Sequence, residues 1–184
     1  MIGYMNINKK DIVPYLEDAK EPISIDEMCC GDDDLYLEKN GLRIYLKSCS
    51  KFIHMCGAVV AGVTKADEDN TYIIYTDNIY DEVPKKYQKA FIAHEIGHIL
   101  SGSVDKITDR AIKIYNNCKD VHKTREEMAK RNMAYELEAD EYAASAVGAK
   151  TMIGALRYYI DNYIIEKEPF DEVVKRIKKL RAME

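Results

Sequence analysis

The run His94-Glu95-Ile96-Gly97-His98 places two imidazoles four residues apart, with a carboxylate beside the first. On a helix the two rings share one face, one turn apart, and both can reach a single ion. Glu95 then stands about 100° around the axis, near such an ion without ligating it. Two neutral nitrogen ligands, a free base and space for a water are what zinc-assisted hydrolysis requires.

Two histidines do not complete that site, because a catalytic zinc takes three protein ligands and keeps a fourth position open. Glu136-Leu137-Glu138-Ala139-Asp140 offers the missing carboxylate. Glu136 and Asp140 share a helical face, whereas Glu138 points about 200° away from Glu136 and cannot serve the same ion. Glu136 is therefore the expected third ligand. Asp140 is expected to accept the free ring N–H of a ligating histidine and so fix its tautomer. Ala139, Ala143, Ala144 and Ala146 are small and would let this helix approach its neighbour closely. Taken alone, a His-x3-His or a Glu-x3-Asp pair is usually solvated helix surface, and only the combination carries the reading. Cys49, His54 and Cys56 make a poor second metal site, since structural zinc uses paired Cys-x2-4-Cys units. His54, His122 and any of the fourteen tyrosines are candidates, none favoured, for the donor that stabilises a tetrahedral oxyanion.

These side chains need elements to hold them. Pro84 suits the first turn of a helix and Gly102 its end. Between them Tyr87, Phe91, Ile92, Ile96, Ile99 and Leu100 mark a broad buried face. Further helices are expected over Asp105–Lys119, from Thr124 (with Glu127 at capping-box spacing) to about Gly148, over Thr151–Ile165, and after Pro169. In the last of these, Phe170, Val173, Val174, Ile177 and Leu180 form one stripe. Ahead of residue 80 the pattern is mixed. Short helices are expected over Asn8–Lys20 and Ser24–Cys30. Leu35–Leu37 and Leu42–Leu46 read as a hairpin across Asn40-Gly41. Gly57–Val63 and Thr71–Thr76 read as a second strand pair, rich in Val, Ile, Thr and Tyr. The expected fold class is α+β: a small mixed or antiparallel sheet in the N-terminal half, packed on the His94–His98 helix, with a mainly helical C-terminal half. The chain reads as one domain over 1–184, with an α/β portion over about 1–80 and a helical portion over about 83–184.

At 184 residues, with 47% apolar and 32% charged residues, the chain can bury a real core. A net charge of −5 argues against a dedicated nucleic-acid partner. The N-terminus lacks a basic region followed by an apolar run, and the longest apolar stretch, Ala58–Val63, cannot span a bilayer. Five cysteines without framework spacing fit free thiols in a reducing compartment. A cytoplasmic protein without a membrane span is the expectation.

His94-Glu95-x-x-His98 followed by Glu136-x-x-Ala139-Asp140 resembles the gluzincin metallopeptidases, over roughly Tyr72–Leu156. The similar branches are the soluble ImmA/IrrE-type peptidases and the catalytic domain of the Ste24/HtpX-like peptidases. Tyr142 stands where the first branch usually has phenylalanine. The resemblance implies a zincin-like fold, with zinc on His94, His98 and Glu136. It also implies a zinc-dependent endopeptidase in which Glu95 activates a zinc-bound water against a protein or peptide substrate, such as a regulatory protein. An extended substrate would lie along a sheet edge, for which Gly57–Val63 is the candidate, an interior strand being the equal alternative. The rival reading is a non-catalytic regulatory or binding protein that retains a metallopeptidase fold. Its docking face would be the basic set Lys175, Arg176, Lys178, Lys179 and Arg181. A third reading has a thiolate from Cys29 or Cys30 closing the open metal position.

Overall fold

Short apolar runs rich in β-branched residues build the sheet. A computed structural model describes residues 29–30, 35–39, 41–48, 60–66, 70–118, 132–164 and 167–183. Five strands, β1 (Cys29–Cys30), β2 (Leu35–Lys39), β3 (Leu42–Ser48), β4 (Ala61–Lys65) and β5 (Thr71–Thr76), form one sheet in the order β1-β2-β3-β5-β4. The β2–β3 hairpin turns where expected. Lys39 pairs with Leu42, and Gly41 adopts φ +79°, a backbone conformation that residues with a Cβ resist. β4 and β5 pair antiparallel from Ala61↔Thr76 to Lys65↔Tyr72, as expected, although β4 runs two residues beyond the expected end at Val63. β3 and β5 pair in parallel, from Arg43↔Thr71 to Ser48↔Thr76, so the sheet is mixed. Among the described residues β4 is an edge strand of this sheet. The helix expected over Ser24–Cys30 does not hold at its end, because Cys29 and Cys30 pair with Tyr36 and Leu35 as β1. The helix expected over Asn8–Lys20, and Cys49, His54, Cys56 and His122, lie outside the described residues.

Asp77 opens a 3-10 turn over Asn78–Glu82 by accepting from the Ile79 N–H at 3.1 Å. Pro84 then starts α1 (Lys85–Leu100). Gln88 donates from Nε2 to the carbonyls of Tyr80 and Val83 at 2.8 and 3.0 Å, tying the turn to the helix. The helix ends at Ser101 and Gly102, the glycine at φ +66°. α2 (Ser103–Cys118) follows directly. Tyr72 of β5 donates to Asp105 Oδ2 at 3.1 Å, and Lys65 of β4 pairs with Asp105 Oδ1 at 3.3 Å. These contacts fix the first turn of α2 against the sheet.

α3 (Met133–Val147), α4 (Ala149–Tyr163) and α5 (Lys167–Arg181) complete the helical half. The helix that carries Glu136 starts at Met133 rather than at Thr124. Asn132 is extended, at φ −95° and ψ 108°, and its side chain accepts from the Ala134 N–H at 3.0 Å. Asparagine competes with the backbone for hydrogen bonds, which favours a cap over a helix interior.

α1 is the centre of the fold, buried from Ala90 to Leu100 around its whole circumference. Ile92, Ile96, Ile99 and Leu100 pack with Leu42, Ile44, Tyr72 and Ile74 of the sheet. Ala90, Phe91 and Ala93 pack instead with Met152, Leu156, Val173, Ile177 and Leu180 of the helices. Each fully buried isoleucine or leucine contributes about 1.5–3 kcal/mol. The sequence-based expectation of one broad face on α1 is thus too narrow: the helix is the partition between two cores. On α5 the expected stripe holds for Val173, Ile177 and Leu180, while Phe170 is 42% exposed.

Candidate metal centre

The partition helix brings its two histidines to α3. Gly97 makes this possible: a Cβ there would lie 2.8 Å from the Ala139 Cα and 2.9 Å from its carbonyl oxygen. The small pair lets the two backbones approach, as the alanines of α3 suggested. Glu136 is thereby carried to His94 and His98. His94 Nε2 lies 3.1 Å from His98 Nε2, Glu136 Oε2 lies 3.4 Å from His94 Nε2, and Glu136 Oε1 lies 3.5 Å from His98 Nε2. The ligand atoms of all three residues fall within 4.8 Å of one another.

Both rings are oriented from behind. His94 Nδ1 lies 2.9 Å from Asp140 Oδ1, the partner expected for it, and Asp140 is fully buried. His98 Nδ1 lies 2.9 Å from Ser103 Oγ, and that hydroxyl donates to the His98 carbonyl at 3.0 Å. Since the hydroxyl hydrogen is spent on the carbonyl, Ser103 accepts from Nδ1–H. Each Nδ1 therefore carries the proton and each Nε2 turns a lone pair inward. Two lone pairs and a carboxylate then face one another, an arrangement that could hold a cation. A tetrahedral ion at about 2.0–2.1 Å from its donors separates them by about 3.3–3.4 Å; the His94–His98 separation is 3.1 Å, and the two Glu136 separations, 3.4 and 3.5 Å, run to different oxygens of the one carboxylate. Two imidazoles and a carboxylate also match the donor chemistry of zinc.

Arg176 of α5 was not anticipated at this site. It is 5% exposed, and it donates to Asp140 through Nε (Oδ2, 2.7 Å) and Nη2 (Oδ1, 2.7 Å), and to Glu136 Oε2 through Nη1 at 2.7 Å. Its Nη2 also lies 3.5 Å from His94 Nδ1, but both atoms are donors sharing Asp140 Oδ1, so this is no bond. The basic set read as one docking face is split: Lys175, Lys178, Lys179 and Arg181 are exposed, and Arg176 is buried among carboxylates. The signal was present in its place on the inward stripe, between Val173 and Ile177. Ser103, the other residue sequence reasoning missed, follows Gly102 with no pattern to mark it.

The charges respond to this packing. Burial by itself pulls the His94 pKa down, but the hydrogen bonds to Asp140 and Glu136 outweigh it and push the group up to about 9 when a proton is the cation. Burial raises the Glu136 carboxyl, yet the Arg176 charge and both histidines hold it well below the ordinary range. Asp140 is likewise held low, burial being overcome by Arg176 and then His94. Glu95, also buried, moves the other way: burial raises it, and His94 and His98 only partly pull it back. The site thus holds the Glu136 and Asp140 carboxyls low and the Glu95 carboxyl high. Residual exposure reaches the centre chiefly through Glu136, whose side chain is 17% exposed against 9% and 11% for the histidines.

Comparison of the chain with protein-family models, curated proteins and solved structures found no match. Among the described residues no helix is long and apolar enough to cross a membrane. Cys29 and Cys30 lie on β1, at the sheet edge opposite β4, and nothing in the described residues brings them to the histidines.

Proposed function

We propose that this chain is a zinc-dependent endopeptidase of the gluzincin type, acting on a protein or peptide substrate in the cytoplasm. The observation that carries the reading is the cluster of His94 Nε2, His98 Nε2 and the two oxygens of Glu136, with separations of 3.1–3.5 Å. A zinc ion held there would supply Lewis acidity, acidifying a coordinated water and polarising a substrate carbonyl. His94 and His98 would hold it as neutral imidazoles, their tautomers set by Asp140 and Ser103. Glu95, with its raised pKa, would take a proton from the attacking water and pass it to the leaving amine. The substrate would lie extended against β4, whose edge position supports the expected role of that strand over its interior alternative.

Glu95→Gln tests this. The variant should retain zinc at the wild-type stoichiometry and lose peptide-bond cleavage by about 10²–10⁴-fold, the usual worth of a general base. Cleavage would be followed by mass spectrometry of a cytosolic proteome digested with and without chelator. Chelator-insensitive cleavage, or a variant that cleaves as well as the parent, would overturn the peptidase reading. Wild-type protein that binds zinc and cleaves nothing would favour the binding-protein alternative.

A further inference from the structure

A carboxylate can ligate an ion through one oxygen or both, and the choice decides how many coordination positions remain for the reaction. Here one oxygen is already committed. Glu136 Oε2 accepts from Arg176 Nη1 at 2.7 Å, the length of a strong charge-assisted bond. The guanidinium cannot drift to accommodate a change at Glu136. Its Nε and Nη2 grip both oxygens of Asp140 at 2.7 Å, and Asp140, fully buried, is held in turn by His94 Nδ1 at 2.9 Å. The planar fork thus spans two carboxylates of α3 one turn apart, which a lysine ammonium could not do with the same directions. Oε2 also lies 3.4 Å from His94 Nε2, but the lone pair it gives to the guanidinium makes it the weaker donor to a cation, while Oε1, 3.5 Å from His98 Nε2, lies on the far side from that bond.

We propose that Arg176 is a positioning residue that restricts Glu136 to one-oxygen ligation and thereby keeps a coordination position open for water and substrate. This rests on the metal site proposed above. It gives the C-terminal helix α5 a part in the site's chemistry as well as in its packing.

Cobalt(II) loaded into the full chain in place of zinc reports the geometry directly, because four-coordinate cobalt absorbs visible light severalfold more strongly than five- or six-coordinate cobalt. The wild type is expected to show the intense band. Arg176→Met, with Glu136 released to chelate through both oxygens, is expected to keep one cobalt per chain and lose intensity severalfold. An unchanged band at full cobalt content in Arg176→Met would overturn the proposal. Should that variant fail to fold, Arg176→Met combined with Asp140→Asn, which removes one of the stranded anions, is compared with Asp140→Asn alone, and the same loss is expected. X-ray absorption of the zinc-loaded wild type needs no variant: two oxygens of one carboxylate at ligand distance would also overturn the proposal. If the wild type takes up no cobalt, or takes it up equally after His94→Ala, the metal site itself is wrong, an outcome distinct from a cobalt site indifferent to Arg176.

Discussion

The two histidines of α1 are held in opposite ways. His98 is oriented locally and by a neutral group, Ser103, five residues further on. His94 is oriented from a distance and by charge, through Asp140 on α3 and, behind it, Arg176 on α5. The local half forms as soon as α1 and α2 meet. The charged half exists only where α1, α3 and α5 meet. The candidate centre thus has one histidine oriented by its own neighbourhood and another whose orientation depends on two further helices.

The largest expected effect falls on the charged half. Asp140→Ala removes the acceptor for His94 and strands a buried guanidinium on Glu136 alone. It should destabilise the protein by about 3–5 kcal/mol and weaken zinc binding about 10–100-fold, read by urea unfolding and by competitive metal titration. A loss no greater than that of Ser103→Ala would erase the distinction between the halves.

Next comes pH. In metal-free protein His94 has its folded pKa raised from 6.5 to about 9, so its contribution is fully present below 6.5 and is lost as pH rises through 9. Glu136 and Asp140 have lowered pKa values, so theirs is present above 4.5 and 3.8 and is lost as pH falls through the folded values. Chelator-treated protein should therefore be most stable between about pH 4.5 and 6.5, losing up to about 3 kcal/mol by pH 9. Zinc binding at pH 7 should release about one proton, drawn from His94, measurable by calorimetry in buffers of different ionisation enthalpy. No proton release would mean that His94 is neutral in the metal-free state.

The smallest effect belongs to the local half. Ser103→Ala leaves His98 Nδ1 without its acceptor and should cost about 1–2 kcal/mol, with zinc affinity reduced by about tenfold. Its pH–stability profile should keep the wild-type shape, because His94 is untouched.

The same division decided what could be read from the sequence. Placement at helical spacing was readable: the His94–His98 pair, Glu136 and its turn-mate Asp140, and Gly102 as a helix end. The Asn40-Gly41 hairpin was readable for the same reason, since a turn is a local event. The parallel pairing of β3 with β5 was not, because no spacing along the chain encodes which distant strands become neighbours. Arg176 was missed because five basic residues near one another suggest a solvated surface, and only its place between Val173 and Ile177 distinguishes it. Glu136 could be placed on the right face while its helix was begun too early at Thr124, since Asn132 had no periodic pattern ahead of it to interrupt.

Because α1 is walled by the sheet on one side and by helices on the other, its amides around His94 and His98 should exchange with solvent deuterium only when the whole molecule unfolds. Ion exchange at such a centre would proceed at Glu136, the least covered of the three, whose swing must first break its 2.7 Å bond to Arg176, with the helical scaffold of the imidazoles standing still.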